Sequence, residues 1–145
     1  MRRVVSFTLS LSMLLTLSTI NSRAQRTTVY RTNIRQIIRN LETDTDTFKR
    51  SLDHALDRSP LDGTKSEDEI NEYVKQFEHA TDKLKDRAED HRYAPNLARE
   101  VLVRGRSINT FMRKHQLGGD AANDWVRVRD DLTLLAAGYR INWRW

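Results

Sequence analysis

The residues equipped for chemistry are few. The 145-residue chain holds four histidines and no cysteine, which excludes thiol nucleophiles, thiolate metal sites and disulfides. Ser51, His54 and Asp57 fall at i, i+3 and i+6 and imitate a Ser, His, acid set. On a helix that spacing strings them along one surface edge, where the backbone amides are already used and none is left for an oxyanion. Di-iron bundles need Glu-x-x-His pairs facing inward, and none of the histidines has a glutamate three residues before it. Met112 and His115 lie one turn apart and read as a core edge and a solvated ring. "LGGDA" at 117–121 opens a helix, but without a preceding strand or a lysine it is no phosphate loop. The sequence thus offers no catalytic residue, no metal site and no cofactor, and it leans away from an enzyme.

The elements that carry these residues begin after an unusual first segment. "MRRVVSFTLSLSMLLTLSTINSRAQ" has a basic start at Arg2 and Arg3, an uncharged run from Val4 to Ile20, and small residues Ser22 and Ala24 before Gln25. That is the layout of a secretory signal peptide. Residues 1–24 are therefore expected to be removed, leaving residues 25–145 as one exported domain, periplasmic or extracellular, with no stable membrane span. The competing expectation is an uncleaved anchor, but the run is short for crossing a bilayer. Removing residues 1–24 takes away three arginines and no acid, so the formal charge falls from +5 to +2. What remains is uneven: residues 62–90 carry ten acids against five bases, residues 91–145 ten bases against five acids. Such blocks point to complementarity between neighbouring helices rather than to a nucleic-acid partner.

Four amphipathic helices are predicted. Ile34, Ile38, Leu41, Thr45, Phe48, Leu52 and Ala55 recur at steps of four and three, the mark of one helical stripe over about 28–58. Pro60 and Gly63 stop it. "SEDE" opens a second helix over about 66–91, with Ser66 and Glu69 placed for a capping box and Ile70, Val74, Phe77, Thr81, Leu84 and Ala88 forming the stripe. Pro95 starts a third over about 95–117, with Leu97, Val101, Ile108, Phe111 and Met112 on its stripe and Gly118 and Gly119 as its stop. Asp120 caps a fourth over about 120–139, striped by Ala121, Trp125, Val128, Leu132, Leu135 and Tyr139. One stripe per helix and short connections describe an all-α, antiparallel up-and-down four-helix bundle, a monomer or weak oligomer.

After Gly138 the apolar residues change rhythm. Tyr139, Ile141, Trp143 and Trp145 alternate with polar neighbours, and a period of two belongs to an extended chain with one greasy side. An extended aromatic tail, residues 140–145, should lie back over the bundle as a lid that plugs the groove between helices at one end. Competing expectations are a peptide offered to a partner's sheet edge, a membrane-interface contact, and stacking on flat ligands. Gly105 interrupts the stripe of the third helix, where glycine costs about 1 kcal/mol relative to alanine. Something should approach the backbone there, with a tryptophan of the fourth helix or of the tail the expected visitor. The candidate binding or lid residues are therefore Tyr139, Ile141, Trp143, Trp145, Trp125 and Gly105.

"FKRSLDHALDRSPLDGT", "INEYVKQFEHATDKL", "FMRKHQL" and "DWVRVRDDLTLLAAGYRINWRW" together resemble a group of uncharacterised small secreted bacterial helical proteins with an aromatic W-R-W carboxyl terminus. The resemblance covers nearly all of the chain after residue 24. It implies export and a helical fold, and brings no activity, ligand or site residue. The function expected from the residues is binding, as an envelope or periplasmic adaptor for a protein or peptide partner. The alternative is a chaperone-like or stress-related helical protein with a groove for apolar segments, filled by its own tail when empty.

Overall fold

The computed structural model describes the backbone of residues 21–145 and the side chains of residues 33–145. The expected signal segment lies outside the described residues, apart from Asn21–Ala24 at the start of the first helix. Four helices follow in chain order: α1 (Asn21–Leu56), α2 (Lys65–Glu89), α3 (Pro95–His115) and α4 (Asp120–Gly138). No strand occurs among the described residues. Backbones approach closely between α1 and α4, α2 and α3, α1 and α2, and α3 and α4, and across neither diagonal. The chain is a four-helix bundle. At about 1.5 Å per residue α1 is about 54 Å long and α4 about 28 Å, so α1 overhangs its partner.

The stripes read from the sequence form the core. Phe48, Leu52, Ile70, Phe77, Leu84, Ile108, Leu132 and Leu135 are fully buried, and each aliphatic side chain so buried contributes about 1.5–3 kcal/mol. Thr45 and Thr81 sit among them because their hydroxyls donate back to Leu41 O (2.6 Å) and Phe77 O (3.0 Å), which satisfies a polar group in an apolar seam. At the end of α1 Leu56 is fully buried while Ala55 is half-exposed, so the seam turns one residue from its expected course. Gly138 lets α4 touch α1: a Cβ there would stand 3.3 Å from Ile34 Cγ1.

The helix ends differ in detail from the sequence reading. The N-cap of α2 is Thr64, not Ser66, and no side chain caps it. Glu67 instead reaches back, accepting the Gly63 N–H at 2.6 Å. The N-cap of α4 is Gly119, with Asp120 already inside the helix. The carboxyl ends of α2, α3 and α4 are each followed by a non-glycine residue in the left-handed region: His91 (φ 60°), Gln116 (φ 48°) and Arg140 (φ 55°). Gly118 and Gly119 therefore follow a helix that has already ended at His115.

Candidate functional site

The tail is shaped by the end of α4. Ile141 N–H donates to Ala136 O at 2.8 Å and Arg140 N–H to Ala137 O at 3.0 Å, a Schellman ending with Arg140 in the position that glycine usually fills. Tyr139, buried, stacks on Tyr93 with ring centroids 5.2 Å apart, and Tyr93 Oη donates to Tyr139 O at 3.2 Å. The chain turns back at this point and runs extended along the α3–α4 seam. It lies lengthwise over that seam as a strap rather than plugging one end of the bundle.

Arginines from both helices hold the strap. Arg106 of α3 places its guanidinium 4.0 Å from the centre of the Trp143 ring and donates to Arg144 O at 3.0 Å. Arg129 of α4 lies 5.3 Å from the Trp145 ring centre. Trp145 Nε1 donates to Thr133 Oγ1 at 3.1 Å, and the two indoles meet edge to face at 5.6 Å. A cation over an indole contributes about 0.5–2 kcal/mol, more as water is excluded. Ile141, Trp143 and Trp145 are half-buried against the core. Two polar atoms at the strap, Nε1 of its own Trp143 and Nε of Arg129 on α4, are buried without a hydrogen-bond partner, which costs about 1–3 kcal/mol each.

Gly105 lies beneath the strap. A Cβ there would be 2.7 Å from Leu132 Cδ1, 3.5 Å from Phe77 Cε2 and 3.8 Å from Trp145 Cη2. The tightest visitor is thus a leucine of α4, with the tail indole in ordinary contact behind it. Of the six candidate residues the structure brings five to one place. Trp125 is elsewhere, in the interior, where Nε1 donates to Asn109 Oδ1 at 3.1 Å and the ring packs 5.0 Å from Phe48.

A second concavity occupies another part of the bundle. A cleft of about 960 Å³ opens between the end of α1, the Pro60 turn and the α3–α4 connection, lined among others by Arg50, His54, Arg58, His115 and Arg127. "LGGDA" forms one wall. His115 is not a solvated ring: it is half-buried, packs 4.2 Å from Phe111, and its Nε2 is buried with no partner. Two of the four histidines thus meet at one cleft, which their sequence spacing does not show. The Ser51, His54, Asp57 set does not assemble into a nucleophilic site, because Ser51 Oγ donates to Phe48 O at 2.9 Å. Asp57 groups instead with Asp62 of the α1–α2 loop and Glu67 of the first turn of α2, their oxygens within 4.8 Å of one another.

Sequence reasoning also missed two acids on the inner side of α4. Asp124 and Asp131 are each 7% exposed. Asp124 Oδ1 accepts from Arg127 at 3.2 Å. Asp131 has no ion pair with a base among the described residues: burial raises its carboxyl to about 6, and the charge of Asp44 across the α1–α4 interface, a hydrogen bond to that residue and the neighbouring Asp130 add to the rise. The signal was present, since Asp124 and Asp131 fall three residues after Ala121 and Val128, on the apolar side of the helix. The charge blocks pair differently from expectation as well. The ion pairs between helices, Lys49 to Glu78 at 3.1 Å and Lys85 to Glu42 at 2.7 Å, join α1 to α2. Toward α3 the acidic helix offers Gln76, which accepts from Arg104.

No family model, no curated protein and no solved structure matches this chain. The reading of function therefore rests on the strap, the cleft and the carboxyl pair themselves. Among the described residues no helix is long and apolar enough to cross a membrane.

Proposed function

We propose that the protein is an exported helical binding protein whose α3–α4 seam accepts an extended apolar segment of a partner, its own tail holding the place in the free chain. The observation that carries this reading is the strap: Ile141, Trp143 and Trp145 alternate toward the core while Arg106, Arg129 and Thr133 engage the indoles from both helices. An extended segment with aromatic residues at every second position meets the same arrangement. Export rests on the layout of residues 1–24. The adaptor reading, in which the tail itself is offered to a partner's sheet edge, has less support, because both indoles turn toward the bundle.

The exchange is energetically accessible. The strap is tied by few directional bonds, and two polar atoms at it are unpartnered, so a better-fitting segment can displace it. Stopping the chain after Ile141 removes the strap while keeping the Ile141 N–H that closes α4. The shortened protein should remain helical by circular dichroism and should bind a synthetic peptide with the sequence of residues 139–145. Binding should shift the peptide's indole emission to the blue, and the intact chain should bind it more weakly. A shortened chain that unfolds, or one that stays folded and ignores the peptide, would sink the reading.

A further inference from the structure

We infer that the cleft between the carboxyl end of α1 and the α3–α4 connection is a binding site for a small molecule carrying a phosphate or carboxylate group. Its volume of about 960 Å³ lies at the upper end of the range of small-ligand pockets, roughly 300–1,000 Å³. Three arginines line it, Arg50 of α1, Arg58 in the turn that follows α1 and Arg127 of α4, against Asp120 and Asp124. Asp124 is turned into Arg127 at 3.2 Å and is almost wholly buried, and the residues lining the α1 side of the cleft include Arg50 and Arg58 but no acid.

The donors on that side have capacity to spare. Arg50 donates one bond to Thr47 Oγ1 at 3.2 Å and Arg58 one to His54 O at 2.9 Å, whereas a guanidinium carries five N–H donors in a fork that matches two oxygens of an anion. Across the cleft α4 begins at Gly119, and its first-turn amides have no side-chain cap, at the end of the helix where the dipole favours negative charge. At the edge, the half-buried His115 ring lines the cleft and reports on what enters it. Three arginines, His115 and the start of α4 thus line one concavity, although "LGGDA" by itself has neither the strand nor the lysine of a phosphate loop.

The test is calorimetric titration of the intact protein with pyrophosphate in one arm and citrate in the other, at matched ionic strength, with the ring signals of His115 followed by NMR. Saturable binding in either arm and movement of the His115 signals are expected, and the arm that binds more tightly identifies the anionic group. Replacing both exposed arginines, Arg50→Gln with Arg58→Gln, should weaken binding by about tenfold or more, the worth of a charge-assisted hydrogen bond, with the melting curve unchanged. Arg87→Gln, exposed in the last turn of α2 at the other end of the bundle, should bind as the parent does. Heat that chloride reproduces at the same ionic strength, binding untouched by the double substitution, or no saturable heat in either arm would overturn the assignment.

Discussion

Asp131 is a buried carboxyl set among other acids. Its carboxyl titrates near 3.8 in an unfolded chain and at about 6 when buried opposite Asp44, so between those values the folded state holds more protons than the unfolded one. The stability it contributes is fully present below about pH 4 and is lost as pH rises through 6. Asp131→Asn keeps the shape, offers Asp44 a permanent donor, and should flatten the fall in stability between pH 4 and 6. At pH 7 the gain should reach at most about 2 kcal/mol, since water at the rim of the pair screens part of the shift. Urea unfolding of both proteins across that range checks it; a parallel pH dependence would remove the pair from the account. Gly105 gives a second expectation. Gly105→Ala gains about 1 kcal/mol of helix propensity, yet its methyl would stand 2.7 Å from Leu132 Cδ1 in a fully buried neighbourhood. Overpacking costs about 1–3 kcal/mol, so the net should be a lower melting temperature, accompanied by a red shift of the tail indoles as the seam is pushed open.

At the scale of the element, the helix ends decide where the chain goes next. α2 and α4 close in the same way, with bonds from Arg92 N–H to Arg87 O and from Ile141 N–H to Ala136 O and with His91 and Arg140 as the left-handed residues. A 48-residue shift that aligns Phe77 with Trp125 and Leu84 with Leu132 falls one residue short of aligning these two endings. The left-handed region is strained for a side chain with a Cβ. Arg140 is exposed, so Arg140→Gly should remove that strain and raise stability by up to about 1 kcal/mol, seen as a higher melting temperature with unchanged indole emission. A glycine variant that melts lower would show that the Arg140 side chain contributes contacts of its own. Sequence reading ended α3 at Gly118 and Gly119, following the preference of helix ends for glycine, and ended α4 where the apolar rhythm changes after Gly138. The left-handed positions went to Gln116 and Arg140, because the bonds that close a helix depend on where its last buried residue must face.

In the whole molecule the strap and the cleft are separate. The strap lies along the α3–α4 seam, and the cleft opens beside the α3–α4 connection and the end of α1, with Trp125 buried in the core. The chain shortened after Ile141 should therefore unfold in one transition, with circular dichroism and Trp125 emission coincident, at a lower midpoint than the parent. Separate transitions for the two probes would show that the strap integrates the bundle rather than closing one groove of it. The fold was legible because the apolar positions of each helix repeat at steps of three and four, a local geometry that one chain segment settles by itself. The tail's switch to a period of two was legible for the same reason. The partners were not. Four stripes of equal period can be rotated and slid against one another with little change in pattern, and only the simultaneous packing of Phe48, Phe77, Leu132 and the rest fixes one arrangement. That packing set Arg106 and Arg129 over the indoles, brought Asp131 to Asp44, and gathered His54 and His115 at one cleft. The sequence by itself determined four helices and an alternating aromatic finish, since both are properties of neighbouring residues. Which side chains face one another was decided in the tertiary structure, because those contacts join residues distant in the chain whose distances depend on every helix at once.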